Sequence, residues 1–284
     1  MKRFLSILLA TVMVFGVLLA VASCGSKTGE NDLEEVKARG TIIVGMECAY
    51  APYNWAQATS NEYASVRLES GTYADGYDVQ MAKKIADALG VELVIKPIKW
   101  NGLTSALNSK QIDLIIAGMS PTEDRKLSID FTDTYYDSDL VMVIRKDSAY
   151  VSATKISDFS GAKITGQLNT FHYDVIDQIE GVNKQTALEE FAGLIQSLRS
   201  GKIDGYVCEK PGAISAVAAN PEFTYIEFTK ENGFTYDPTE ASIAVGVRKN
   251  SSLTAEINKI LASVSKEEKE EMMTAAILRQ PVNN

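Results

Sequence analysis

Histidine occurs once in this chain, at His172, cysteine three times and tryptophan twice. With a lone imidazole and no C-x-x-C or His–Cys cluster, the chain lacks the ligands for a structural zinc site. No other motif calls for a cofactor. Basic residues are the minority, 28 against 37 acidic ones, for a net charge of −9. That balance lacks the basic surface that nucleic acid or an anionic membrane face demands. Past the N-terminal run, no apolar stretch is long enough to cross a bilayer. The remainder is therefore expected to be soluble.

What is present begins with Met1-Lys2-Arg3 and an apolar run from Phe4 to Ala22. A basic start, an apolar stretch and small residues before a boundary make a secretory signal. The boundary Val21-Ala22-Ser23-Cys24-Gly25-Ser26 resembles the lipobox of bacterial lipoproteins. That resemblance implies a signal peptide over 1–23 and a lipidated Cys24, held at the extracytoplasmic face of the cell membrane. More than one acyl chain anchors stably where one is marginal. The alternative is an uncleaved anchor, since the run approaches the ~18 residues that span a bilayer. Residues 24–38 supply the lipidated end and a linker, of which Gly25 to Asn31 is small and polar. The rest suits two lobes of roughly 100–150 residues each.

Two patterns each occur twice. Gly40-Thr-Ile-Ile43-Val-Gly45 matches Gly161-Ala-Lys-Ile164-Thr-Gly166, both G-x-x-I-x-G. Leu103-x3-Leu107-x-Ser109-x2-Ile112-Asp113 matches Leu194-x3-Leu198-x-Ser200-x2-Ile203-Asp204. Leucines at i and i+4 share a helix face. The Gly-flanked runs and the stretches after each Ile-Asp read as short strands. Each half is thus strand, helix, strand, the grammar of an α/β fold with mostly parallel sheets. The segment Ala56 to Gly76, rich in Ser, Tyr, Thr and Gly, reads as a surface insertion.

Ligands of open α/β sheets sit beyond the carboxyl ends of strands. There the chain places Met46 to Tyr50, Gln167 to Phe171, Gly118 onward, and Glu209. Thr122 is a good N-cap, and the Gly118-Met119-Ser120 backbone ahead of it offers N–H donors to an anion. Arg125 suits a carboxylate; the alternative is a solvated residue paired with Glu123 or Asp124. Glu209 is an acceptor suited to an ammonium. Arg on one side and Glu on the other complement a zwitterion. Asn169 and Thr170 add hydrogen bonds, with Thr170 capping a helix from Phe171. Tyr50 and Trp100 are placed to sandwich a side chain, worth ~0.5–2 kcal/mol for a cation; Trp55 reads as core. If Glu47 and Glu209 face the cleft, strand alternation turns Cys48 and Cys208 away, which favours free buried thiols over a disulfide.

These residues, with Gly76-Tyr77-Asp78-Val79 and Asp130-Phe131-Thr132-Asp133, make the chain resemble the polar amino-acid-binding proteins of bacterial ABC importers, the third family of extracellular solute-binding proteins. The resemblance runs over nearly all of Leu33 to Ser265. It implies an α/β, two-lobe, periplasmic-binding-protein-like (type II) fold with two crossover hinge strands. Lobe 1 is then 39–136 plus 240–284, and lobe 2 is 137–239. It implies that Arg125, Gly118, Met119, Ser120 and Thr170 surround a ligand α-carboxylate, and that Glu209 takes the α-ammonium, where many relatives have Asp. Tyr50 and Trp100 match the aromatic walls, and Phe171 is a further expected ligand contact. Asn169 stands where many relatives have Gly. Glu47 holds the place of an acidic residue that meets a distal cation, so the expected ligand is arginine or lysine, with glutamine or histidine as alternatives. Expected partners are the amino acid and permease subunits, with a monomeric chain. The rivals are a cyclohexadienyl dehydratase-like enzyme and a sensor subunit on the same fold.

Overall fold

A computed structural model describes residues 29–281. The expected leader 1–23 and lipidated Cys24 lie outside the described residues. Among the described residues, no helix is long and apolar enough to cross a membrane.

Two five-stranded sheets share one plan. The first runs Glu92–Pro97, Thr41–Met46, Leu114–Ile115, Ile243–Val247, Asp130–Tyr136. The second runs Asn183–Lys184, Lys163–Thr165, Gly205–Glu209, Leu140–Arg145, Phe223–Glu227. In each, three parallel strands are extended by two antiparallel ones. The chain passes from the first sheet to the second between Tyr136 and Leu140, and returns between Glu227 and Ile243. This is the mixed α/β, two-lobe architecture of the type II binding proteins.

Both leucine pairs lie on helices, Leu103–Asn108 and Phe191–Arg199, and all four leucines are buried. Asp113 returns its backbone N–H to the Ile43 carbonyl at 2.7 Å and accepts the Ile43 N–H on its carboxylate at 2.9 Å. Asp204 does the same to Lys163, at 2.8 Å in both directions. The halves therefore superpose Ile43 on Lys163, one residue out of phase with the G-x-x-I-x-G match. Burial agrees. Ile42 and Ala162 are fully buried, as are Val44 and Ile164, while Ile43 and Lys163 turn outward. The flanking glycines matched by chance of spacing; the aspartates mark the true register.

The stretch Ala56 to Gly76 is not merely a surface insertion. With Ala49–Tyr50 and Asn54–Gln57 it forms a four-stranded antiparallel sheet through Val66–Arg67 and Tyr73–Asp75, and it buries Ala64, Leu68 and Ala74. Strands of two to four residues leave too little alternation to read in the sequence.

The first lobe's apolar core does not stop at its own sheet. It continues through Tyr50 to Phe191, Leu194 and Tyr206 of the second, while the outer face of the second sheet has a separate core around Ile144, Phe159 and Ile176. The C-terminal helix Lys266–Arg279 also bridges the lobes. Arg279 grips Asp75 of the first lobe with bonds of 2.9–3.1 Å, and Gln280 donates to the Ser215 carbonyl of the second at 3.1 Å.

Candidate functional site: the interlobe cleft

The parallel strands deliver their carboxyl ends to the space between the lobes. Gly118 lies just beyond Leu114–Ile115 with φ +61°, and a Cβ there would meet the Tyr50 ring at 3.2 Å. A side chain would thus both strain the turn and push on an aromatic. One small cavity gathers Tyr50, Trp100, Gly118, Ser120, Arg125, Thr170, Phe171 and Glu209, and adds Gln167 and His172. Met119 and Asn169 line a wider groove of about 730 Å³ outside it, together with Trp100 and Arg125. Met119 spends its carbonyl on the Ala244 N–H at 3.0 Å, so it serves the sheet as well.

Thr122 caps the following turn, accepting the Arg125 N–H. That turn is only Glu123–Lys126, so its dipole is small. Any pull on an anion comes from individual donors. The Ser120 and Thr170 backbone N–H groups have no partner among the described residues. Arg125 donates to the carbonyls of Ser120 at 2.8 Å and, across the cleft, Asn169 at 3.1 Å, and lies 4.9 Å over Trp100. Its pairing with Glu123 or Asp124 is not seen. Burial pulls its guanidinium down to about 10, against the opposing charge of Glu209, which leaves it cationic at neutral pH.

Asn169 has φ +59°, a left-handed conformation that asparagine tolerates, which is how it stands in for glycine. Thr170 does not cap the Phe171–Asp174 turn as expected. Its hydroxyl instead donates to the Gln167 carbonyl at 2.7 Å, a local bond that closes the loop.

Glu209 is 1% exposed. Tyr50, from the other lobe, donates its hydroxyl to one carboxylate oxygen, and His172 Nε2 stands 3.0 Å from the other. Burial alone would raise this carboxyl, but the His172 and Tyr50 interactions outweigh it and hold it below the ordinary range. Tyr50 and Trp100 both line the small cavity. Tyr50 stacks on Phe191, centroids 4.0 Å apart at 18°.

Glu47 is not among the residues lining the small cavity but touches one of them, with Gln167 Nε2 3.5 Å from its Oε1. Burial raises its carboxyl to about 7, opposed by the Gln167 amide and reinforced by Glu190. Glu190, whose charge reinforces that rise, is itself paired with Lys99 at 3.2 Å. Cys48 and Cys208 are both buried and free, and Trp55 is buried core. No group of three or more metal-ligating side chains occurs among the described residues.

Gln167 and His172 line this cavity and Phe191 backs Tyr50; from the sequence, Gln167 stood only at the start of a cleft segment. Gln167 could have been found by the Ile43–Lys163 register, which aligns it with Glu47. His172 and Phe191 are brought in by packing between segments far apart in the chain.

The family model for bacterial extracellular solute-binding proteins, family 3, matches residues 42–275. The chain belongs to this family. Members bind solutes rather than transform them, which sets aside the enzyme reading. Among relatives of this solute-binding protein, the arginine-binding extracellular protein ArtP of Bacillus subtilis is 28% identical over 266 residues, covering 92% of each chain. The L-cystine-binding protein TcyJ of Escherichia coli is 28% identical over 251 residues, 88% of this chain and 87% of its own. The crystal structure of an amino acid ABC transporter substrate-binding protein from Streptococcus pneumoniae bound to L-arginine superposes with a TM-score of 0.74 at 25% identity, covering 87% of this chain and 98% of that one.

Proposed function

We propose that this chain is the substrate-binding lipoprotein of an amino-acid ABC importer, capturing a polar amino acid between its lobes and delivering it to the permease. The observation that carries the reading is the opposition of Arg125 and Glu209 on one cavity. Arg125, with backbone groups at Gly118 and Ser120 and with Thr170, suits an α-carboxylate, and Glu209 suits an α-ammonium. A zwitterion meets both without leaving a buried charge unpaired.

Arginine or lysine is the preferred ligand. Glu47 faces Gln167 of the cavity lining and pairs with no cation among the described residues, and the Bacillus relative and the Streptococcus structure are named for arginine. Glutamine is the second reading, favoured by the Gln167 amide that faces Glu47 and by a carboxyl raised to about 7. The lobes, 39–136 plus 240–284 and 137–239, open and close about the crossovers near 136 and 240. Tyr50–Glu209 and Arg125–Asn169 are the bonds that opening would break. Cys24 carries the lipid, and the chain works as a monomer.

The test is a calorimetric titration of fragment 25–284, unfolded and refolded to strip bound solute, against arginine, lysine, histidine, glutamine, glutamate and cystine. Binding of arginine or lysine alone supports the cationic reading. Binding of a neutral amino acid alone keeps the Arg125–Glu209 arrangement and removes the cation assignment. No heat from any of the six overturns the amino-acid reading. For the anchor, Cys24→Ala should abolish incorporation of labelled palmitate in cells, and undiminished labelling would refute it.

A further inference from the structure

The acceptor assigned to the α-ammonium is already engaged. Glu209 Oε1 lies 3.0 Å from Nε2 of His172, with side chains 1% and 5% exposed, and Tyr50 from the opposite lobe occupies the other oxygen. Neither ring nitrogen of His172 has an aligned hydrogen-bond partner among the described residues. Its contact with Glu209 is therefore one of proximity without an aligned bond, easily traded for a better-placed donor. The imidazole packs against Phe171, centroids 4.5 Å apart. The charged and titratable groups sharing its cavity are Glu209 from the strand Gly205–Glu209, Arg125 from the turn Glu123–Lys126, and Tyr50. Asp174 lies on its own turn, and Asp78 and Tyr53 couple to Glu209 from the first lobe.

Resting on the amino-acid reading of this cleft, we propose that His172 makes capture proton-coupled: the entering α-ammonium takes Glu209 over from protonated His172, which gives its proton to solvent. Two cations on one buried carboxylate, with Arg125 in the same cavity, disfavour the charged imidazole. Neutral His172 leaves Glu209 to the ligand and adds no net charge. Because capture expels a proton, affinity rises with pH over whatever range the solute-free protein holds that proton, and levels off above it. His172 is thus a positioning residue for Glu209, acting on the ligand through the carboxylate.

The experiment is calorimetric titration of the protein, freed of solute, with L-arginine and separately with L-glutamine, at pH 6 and pH 8. Each titration is run in two buffers of different ionisation enthalpy, which counts protons released. Glutamine brings no second cation to Glu47, so its protons report on the α-ammonium end. The expected result with glutamine is release of up to about one proton at pH 6 and less at pH 8, with affinity falling at most about tenfold per pH unit toward acid; arginine releases more at pH 6, since its distal cation also meets Glu47. In His172→Gln, the release with glutamine and the pH slope should vanish. Wild-type binding with no proton release at pH 6 overturns the proposal without any variant. Equal release from wild type and a folded His172→Gln also overturns it, assigning the proton to another group. Absence of binding by both ligands at both pH values removes the amino-acid reading itself, and this inference with it.

Discussion

Glu47 and Gln167 occupy the same place in the two halves of the chain and meet across the cleft, with Gln167 Nε2 3.5 Å from Glu47 Oε1. The equivalence follows from Asp113 on Ile43 and Asp204 on Lys163, since each cleft residue lies at the same offset from its strand anchor. One half thus brings a carboxylate and the other an amide to a common point. Glu47→Gln should set two amides face to face. A bond to a charged group contributes about 1.5–3 kcal/mol, so arginine or lysine should lose roughly ten- to a hundredfold in affinity. Glutamine should change much less. Equal losses for both, by calorimetry, would remove Glu47 from any role in specificity.

Arg125 is held by carbonyls, not by a carboxylate of the protein. Its removal therefore leaves no buried protein anion unpaired, and the fold should survive Arg125→Ala with an unchanged circular dichroism spectrum. Binding should not survive. Truncating one partner of a buried charge pair costs about 2–5 kcal/mol, enough to weaken a micromolar ligand to between tens of micromolar and a few millimolar. Retained affinity in a folded variant would sink the carboxylate assignment.

The strand–helix–strand grammar and the strand ends that feed the cleft were readable, because Leu103/Leu107, Leu194/Leu198 and the Ile-Asp junctions write local periodicity directly. The register between halves was not, because a glycine-flanked match of three residues fits at neighbouring offsets, and only the Asp113 and Asp204 bonds choose. The sheet within 49–75 escaped because its strands are two to four residues long. His172 stood out in the sequence only as the single histidine. Its contact with Glu209 depends on how the Phe171–Asp174 turn lies on the strand Gly205–Glu209, which no spacing along the chain encodes.

Asp78 lies beneath Gly118, fully buried, and accepts from Asn54 Nδ2 at 2.9 Å and Tyr135 Oη at 2.7 Å. Asp78→Ala strands both donors, each at about 1–3 kcal/mol, so a loss of several kcal/mol in stability is expected by urea denaturation. The loss should depend on pH. Burial raises this carboxyl from 3.8 to about 6, against its hydrogen bonds. The folded protein then holds the proton more tightly than the unfolded chain does. Stability from the group is complete below the ordinary value and is lost as pH climbs through about 6. The gap between wild type and variant should accordingly narrow from pH 5 to pH 7. A constant gap would mean that Asp78 stays ionised in the fold.

Asp113 and Asp204 are equivalent by register but not by surroundings. Asp113, 4% exposed, also faces Arg39 and Arg248; the latter is 1% exposed, bonds Asp32 at 3.0 Å and stands 3.4 Å from Asp113. Asp204 is half-exposed and anchors only the Lys163 backbone among the described residues. Removing one member of a buried ionic group costs about 3–5 kcal/mol because a charge is left behind, whereas losing a single bond at the surface costs about 1 kcal/mol. Asp113→Ala should therefore lower the urea midpoint far more than Asp204→Ala. The carbonyls of Leu107 and Ile112, at 3.1 and 2.7 Å, keep part of the Arg248 guanidinium satisfied and set the loss nearer the lower figure. Equal midpoints for the two variants would show that Asp32 and those carbonyls hold Arg248 without Asp113, and that both aspartates serve only as strand anchors.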